Sequence, residues 1–123
     1  MTSSKAIFYI SALLLLSISA FAGQTKIVNV EVTNNNDSYR FDVTLRHDDA
    51  GWDHYADGWE VLSPEGKVLG KRVLAHPHVS EQPFTRSLSG VHIPQGLSSV
   101  SIRAHDSVHG YNKEVFEVIL PGR

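Results

Sequence analysis

Seven histidines and no cysteine occur in this 123-residue chain, and the histidines are gathered into a few short stretches. "HPHVSEQPF" (76–84) holds His76 and His78 around Pro77. "DDAGWDHYAD" (48–57) holds His54, preceded by His47, and "HDSVHGYN" (105–112) holds His105 and His109. Neutral imidazole is the commonest protein ligand for zinc and copper, and carboxylates complete such sites. Pro77 biases His76 toward extended backbone. In an extended H-P-H the two imidazoles point to one side and could share an ion. The expected ligand set is therefore His76 and His78 with His54, His105 or His109, supported by His47, Glu81 or Asp106. With no thiolate available and Met1 the only methionine, the ion implied is zinc or copper(II).

The same residues support a reading without metal. Histidine–aspartate pairs brace long loops, and a chain without disulfides needs such bracing. Trp52, Tyr55 and Tyr111 lie in these loops and could cap the fold or wall a site for a small ligand or a protein partner. A catalytic reading has less behind it. Thr85, Arg86 and Ser87 show no nucleophile-elbow pattern, and loop aspartates such as Asp48, Asp49, Asp53 and Asp57 commonly form turns. The expectation is a non-catalytic protein that binds a divalent transition metal at its histidine end, with a metal-free protein- or ligand-binding module as the alternative. No catalytic or organic-cofactor residue is assigned.

The elements that must present these loops are strands. "YRFDVTLRH" alternates Tyr39, Phe41, Val43 and Leu45 with polar residues, the period of a half-buried strand. "KIVNVEVT" sets Val28, Val30 and Val32 on one face. "GWEVLS" and "VLGKRVLA" flank the turn "PEGK" and form a hairpin. "FTRSLSGV", "SVSIRAHD" and "KEVFEVIL" complete the set, and no useful stretch has helical periodicity. About seven strands at this spacing predict an antiparallel immunoglobulin/fibronectin type III-like sandwich, with a small β-barrel as the competing topology. Trp59, Val61, Phe41, Val43, Ile102, Val100 and Val118 are the expected core. Running these strands up and down puts His47, His54, His76, His78, His105 and His109 at one end and His92 near the other. His47 continues the inward face of its strand and is placed to plug the mouth of the core.

Residues 1–22 read as a secretory signal peptide: Lys5, the apolar run "AIFYISALLLLSIS", then an A-x-A site ending at Ala22. Residues 23–123 then form one domain, periplasmic or secreted, with no membrane attachment after cleavage. Without Lys5 the balance is ten basic against thirteen acidic residues, which lacks the basic stripe of a nucleic-acid binder. The stretches "GWDHYADGWEVL", "HPHVSEQPFTRSLSGV" and "RAHDSVHGY" together resemble an uncharacterised set of small exported bacterial proteins. That resemblance implies export and carries no activity, substrate or cofactor.

Overall fold

The computed structural model describes residues 24–123. The expected signal peptide and its cleavage point lie outside them. The elements in chain order are β1 (Lys26–Asn34), β2 (Tyr39–Arg46), β3 (Ala56–Leu62), β4 (Val68–Val73), β5 (Phe84–Val91), β6 (Ser99–Asp106), β7 (Gly110–Tyr111) and β8 (Phe116–Ile119). Among the described residues there is no helix. The strands form two antiparallel sheets, β1-β2-β5 and β4-β3-β6, with β7 and β8 both paired to β6. The sheets do not close into one barrel, so the sandwich is the observed solution. β7 and β8 share one edge of β6 and together fill the place of the expected last strand.

Side chains of both sheets meet in one core. Phe41, Val43 and Leu45 on β2 face Trp59 and Val61 on β3 and Val100, Ile102 and Ala104 on β6, all fully or almost fully buried. Alternation along a strand puts every second residue on one face, and here that face is apolar. The sheets approach closely where β4 passes β5. A Cβ on Gly70 would stand 3.0 Å from Leu88 Cδ2 and 3.3 Å from Val91 Cγ2. The expected face of β1 differs in one residue. A register shift between Ile27 and Asn29 breaks the alternation, so Ile27, Val30 and Val32 pack on the core while Val28 is 43% exposed.

Every strand-to-strand return on the β2–β3, β4–β5 and β6–β7 connections falls at one end of the sandwich, because consecutive strands run antiparallel. Those connections are cross-linked there: Ser107 N donates to Tyr55 O at 2.9 Å, and His78 N donates to Asp49 Oδ2 at 2.7 Å. His92 is exposed on the β5–β6 connection at the opposite end.

Trp59 has no exposed surface. Replacing it with alanine removes the largest buried side chain, and Trp59→Ala is expected to cost about 3–5 kcal/mol in denaturant unfolding. A loss near zero would place the ring outside the core.

Candidate metal centre

The odd-numbered residues of β2 point inward, and the alternation continues beyond the strand. Tyr39, Phe41, Val43, Leu45, His47 and Asp49 are all buried. The last two carry polar side chains into the mouth of the core, and burial without partners would be costly. They partner each other: His47 Nδ1 donates to Asp49 Oδ1 at 2.5 Å. Asp49 Oδ1 also accepts from Ala56 N at 3.0 Å, and Oδ2 accepts from His78 N. One carboxylate thus ties the β2–β3 loop to the start of β3 and to the β4–β5 loop. Gln82 adds a second brace, its Oε1 accepting from His47 N and its Nε2 donating to His78 O, both at 2.9 Å.

With its proton on Nδ1, a neutral His47 keeps the Nε2 lone pair. That nitrogen lies 3.2 Å from His54 Nε2, and His54 Nε2 lies 3.3 Å from Asp106 Oδ1. The three potential ligand atoms of His47, His54 and Asp106 all fall within 4.8 Å of one another. Tetrahedral bonds of about 2.0–2.1 Å place neighbouring ligand atoms about 3.3–3.4 Å apart, close to these two spacings, while the third side of the group, up to 4.8 Å, would contract around an ion. Without an ion the same spacing suits a hydrogen bond from His54 Nε2–H. His109 borders the group: its ring centroid is 5.0 Å from that of His54, and its Nδ1 is 3.2 Å from Asp106 Oδ1. Its side chain is 42% exposed, so it stands on the solvent side.

Asp106 ends β6 with no exposed surface. Its Oδ1 accepts from the backbone N–H of Val108 and of His109 and so shapes the β6–β7 turn. Burial alone would push this carboxyl up. The N–H groups of His109 and Val108, then the charges of His109 and His47, outweigh burial and hold it below the ordinary aspartate value. Asp106 Oδ2 is buried and has no hydrogen-bond partner among the described residues. An ionised carboxylate with an unmatched buried oxygen is a donor suited to a cation.

The remaining expected ligands stand elsewhere. His78 is buried and stacks on Phe84, with ring centroids 4.0 Å apart at 11°. Its Nε2 receives Arg86 Nη2 at 2.9 Å. Guanidinium can only donate, so the ring proton sits on Nδ1, which is buried and without a partner. His76 is exposed beside it, with ring centroids 4.8 Å apart, and Glu81 is exposed and accepts from Arg86 Nη1 at 3.2 Å. His105 lies on the outer face of its sheet, its Nδ1 hydrogen-bonded to Asp57. The structure therefore brings His47, His54, Asp106 and His109 together. It sets His76, His78 and Glu81 in a second group around Arg86, joined to the first through Asp49.

Among curated proteins, one from Halomicrobium mukohataei named "Putative lipoprotein" is 47% identical to this chain over 78 residues. The match covers 63% of this chain and 38% of that protein, so the chain spans well under half the length of this relative. No family model matches the chain, and no solved structure matches it.

Two predictions test this network. Asp49→Ala strands three donors, two of them backbone N–H groups. At roughly 1–3 kcal/mol for each buried unsatisfied donor, the loss should be about 3 kcal/mol or more by chemical denaturation. The second concerns acid. Burial, then the Arg86 and His76 charges, lower the His78 pKa below its ordinary value. The unfolded chain then binds more protons at this residue once the pH falls below about 6.5. The stability from neutral His78 is full above that pH and is lost as the pH falls toward the depressed value. The stability difference between the protein and His78→Gln, measured by urea unfolding, should shrink from pH 7 to pH 5. A constant difference would show that His78 does not titrate differently on folding.

Proposed function

We propose that this is an exported, non-catalytic β-sandwich protein that binds a divalent transition metal through His47, His54 and Asp106, with His109 as the solvent-side fourth ligand. The observation that carries this reading is the arrangement at His54 Nε2, which is spaced from His47 Nε2 and Asp106 Oδ1 at tetrahedral-edge distances. Support comes from Asp49, whose carboxylate holds the far nitrogen of His47. Metal-bound imidazoles usually have such a partner, which sets the tautomer and raises basicity. The unmatched Oδ2 of Asp106 points the same way. The donor set of imidazole and carboxylate suits zinc or copper(II). An accessible His109 favours a site that exchanges its ion, a carrier or buffer, over a sealed structural staple. Export rests on the N-terminal reading and on the name of the Halomicrobium relative, "Putative lipoprotein".

A second reading has its own observation. Trp52 is 67% exposed, packed edge-on against Tyr55 with ring centroids 5.6 Å apart, and Val79 and Val108 are exposed on the other two loops. Exposed apolar groups on all three loops of one end suit a protein- or ligand-binding module in which the histidine network is a brace.

Thermal melts with zinc or copper(II) separate the two. A metal at about 100 times its dissociation constant should add about 2.7 kcal/mol of stability. Ligand imidazoles must be neutral, so the gain should fade as the pH drops through about 6.5. His54→Gln should remove the gain while His76→Ala leaves it. A melting temperature indifferent to both metals at neutral pH would leave the brace as the role of these histidines.

A further inference from the structure

We propose that the outer face of the β4-β3-β6 sheet carries a second binding site, for a small organic carboxylate, formed over Gly58 beside His105 and Lys71. The site begins with an irregularity in β3. Ala56 and Trp59 are both buried in the core, yet they are three residues apart, and the register against β6 shifts between Ala56 and Gly58. The extra residue turns Asp57 toward the outer face, where its carboxylate accepts from His105 Nδ1. Gly58 pairs with Val73 on one side and His105 on the other. Having no side chain, it leaves a floor between them, and a Cβ there would stand 3.1 Å from Arg72 O, so the close approach is that of the β4 backbone. The resulting cavity measures about 190 Å³ and is also bordered by Glu60, Lys71 and Tyr111.

The charges select the ligand. Asp57 is taken by His105. Glu60 is almost fully buried and accepts from Arg103 Nη2 at 2.9 Å, and its carboxylate beside Tyr111 pushes the phenol pKa up. Arg103 in turn lies 4.0 Å from the Tyr111 ring centroid. Both acids therefore have hydrogen-bond partners, whereas Lys71, exposed opposite Glu60 in the β3–β4 register, has no hydrogen bond or ion pair among the described residues. Its ammonium is the point of the cavity at which an anion would be held. The cavity equals the liquid volume of about six waters, so a lone inorganic ion would fill it poorly. Val73, 60% exposed, and the Tyr111 ring offer apolar surface for a carbon body.

The test is an NMR titration of the whole protein with propionate and benzoate, their neutral amides, inorganic phosphate and glucose. The carboxylates should shift the Gly58, His105 and Tyr111 signals saturably, with the amides, phosphate and glucose weaker by about tenfold or more. Lys71→Met should weaken the carboxylates by a similar factor while leaving the melting temperature and the metal response unchanged. Val73→Asp, on the exposed wall, should weaken them by repulsion. Equal binding of amides, a preference for glucose or phosphate, no saturable shift, or unaltered carboxylate binding by Lys71→Met would each overturn the proposal.

Discussion

The histidine end of this sandwich depends on one buried carboxylate. Asp49 accepts from the His47 ring, from the first residue of β3 and from the β4–β5 loop. These contacts join the β2–β3 connection to the start of β3 and to the β4–β5 connection, which no strand pairing holds. A carboxylate can do this because it has two oxygens and about four lone-pair directions, and no neutral side chain of similar size offers as many acceptors. Its own burial is tolerable because three of those directions are filled. The position of His47 follows from Asp49, and the approach of His54 and Asp106 follows from His47.

This arrangement answers a problem set by composition. The chain has no cysteine, so no disulfide closes its ends. The opposite end uses short turns and a C-terminal arginine, whose guanidinium donates to Pro94 O and Ile93 O and lies 5.3 Å from the Tyr39 ring centroid. The histidine end carries longer connections and closes with polar groups. A closed polar network in a low-dielectric place is rigid when every member is satisfied. Asp106 Oδ2 and His78 Nδ1 are among the buried atoms there that have no hydrogen-bond partner. They differ in kind: one is a carboxylate acceptor, the other a ring N–H donor. Only the first suits a cation.

Two of the histidine–aspartate pairs show how one local chemistry takes different roles. His47–Asp49 continues the inward side of β2 and belongs to the mouth of the core. His105–Asp57 lies on the outer face, because Ala104 and Asp106 on either side of His105 face inward. A shift of one position along a strand moves a side chain to the other face. The irregularity at Asp57 is what lets it meet His105 at all.

Much of this fold was legible in the residues alone. Period-two alternation in β2 and β6 identified the inward faces, and every residue expected in the core from them is buried. Strand counting put the three histidine-bearing connections at one end, since antiparallel neighbours must return alternately. The continuation of the β2 alternation to His47 was readable, whereas its next step, which separates buried Asp49 from the exposed Asp48 beside it, is missed when Asp49 is grouped with the turn aspartates. Other features required the tertiary structure. The bulges at Val28 and Asp57 depend on how two strands pair, which spacing along one strand does not encode. The ring nitrogen that Arg86 occupies, and the meeting of His54 with His47 and Asp106, depend on loop paths and rotamers set by packing across the sandwich. Alternation along a strand is a local property of the backbone and can be read from sequence. Which imidazole faces which carboxylate is decided by distances between segments far apart in the chain, and only the folded structure brings those together.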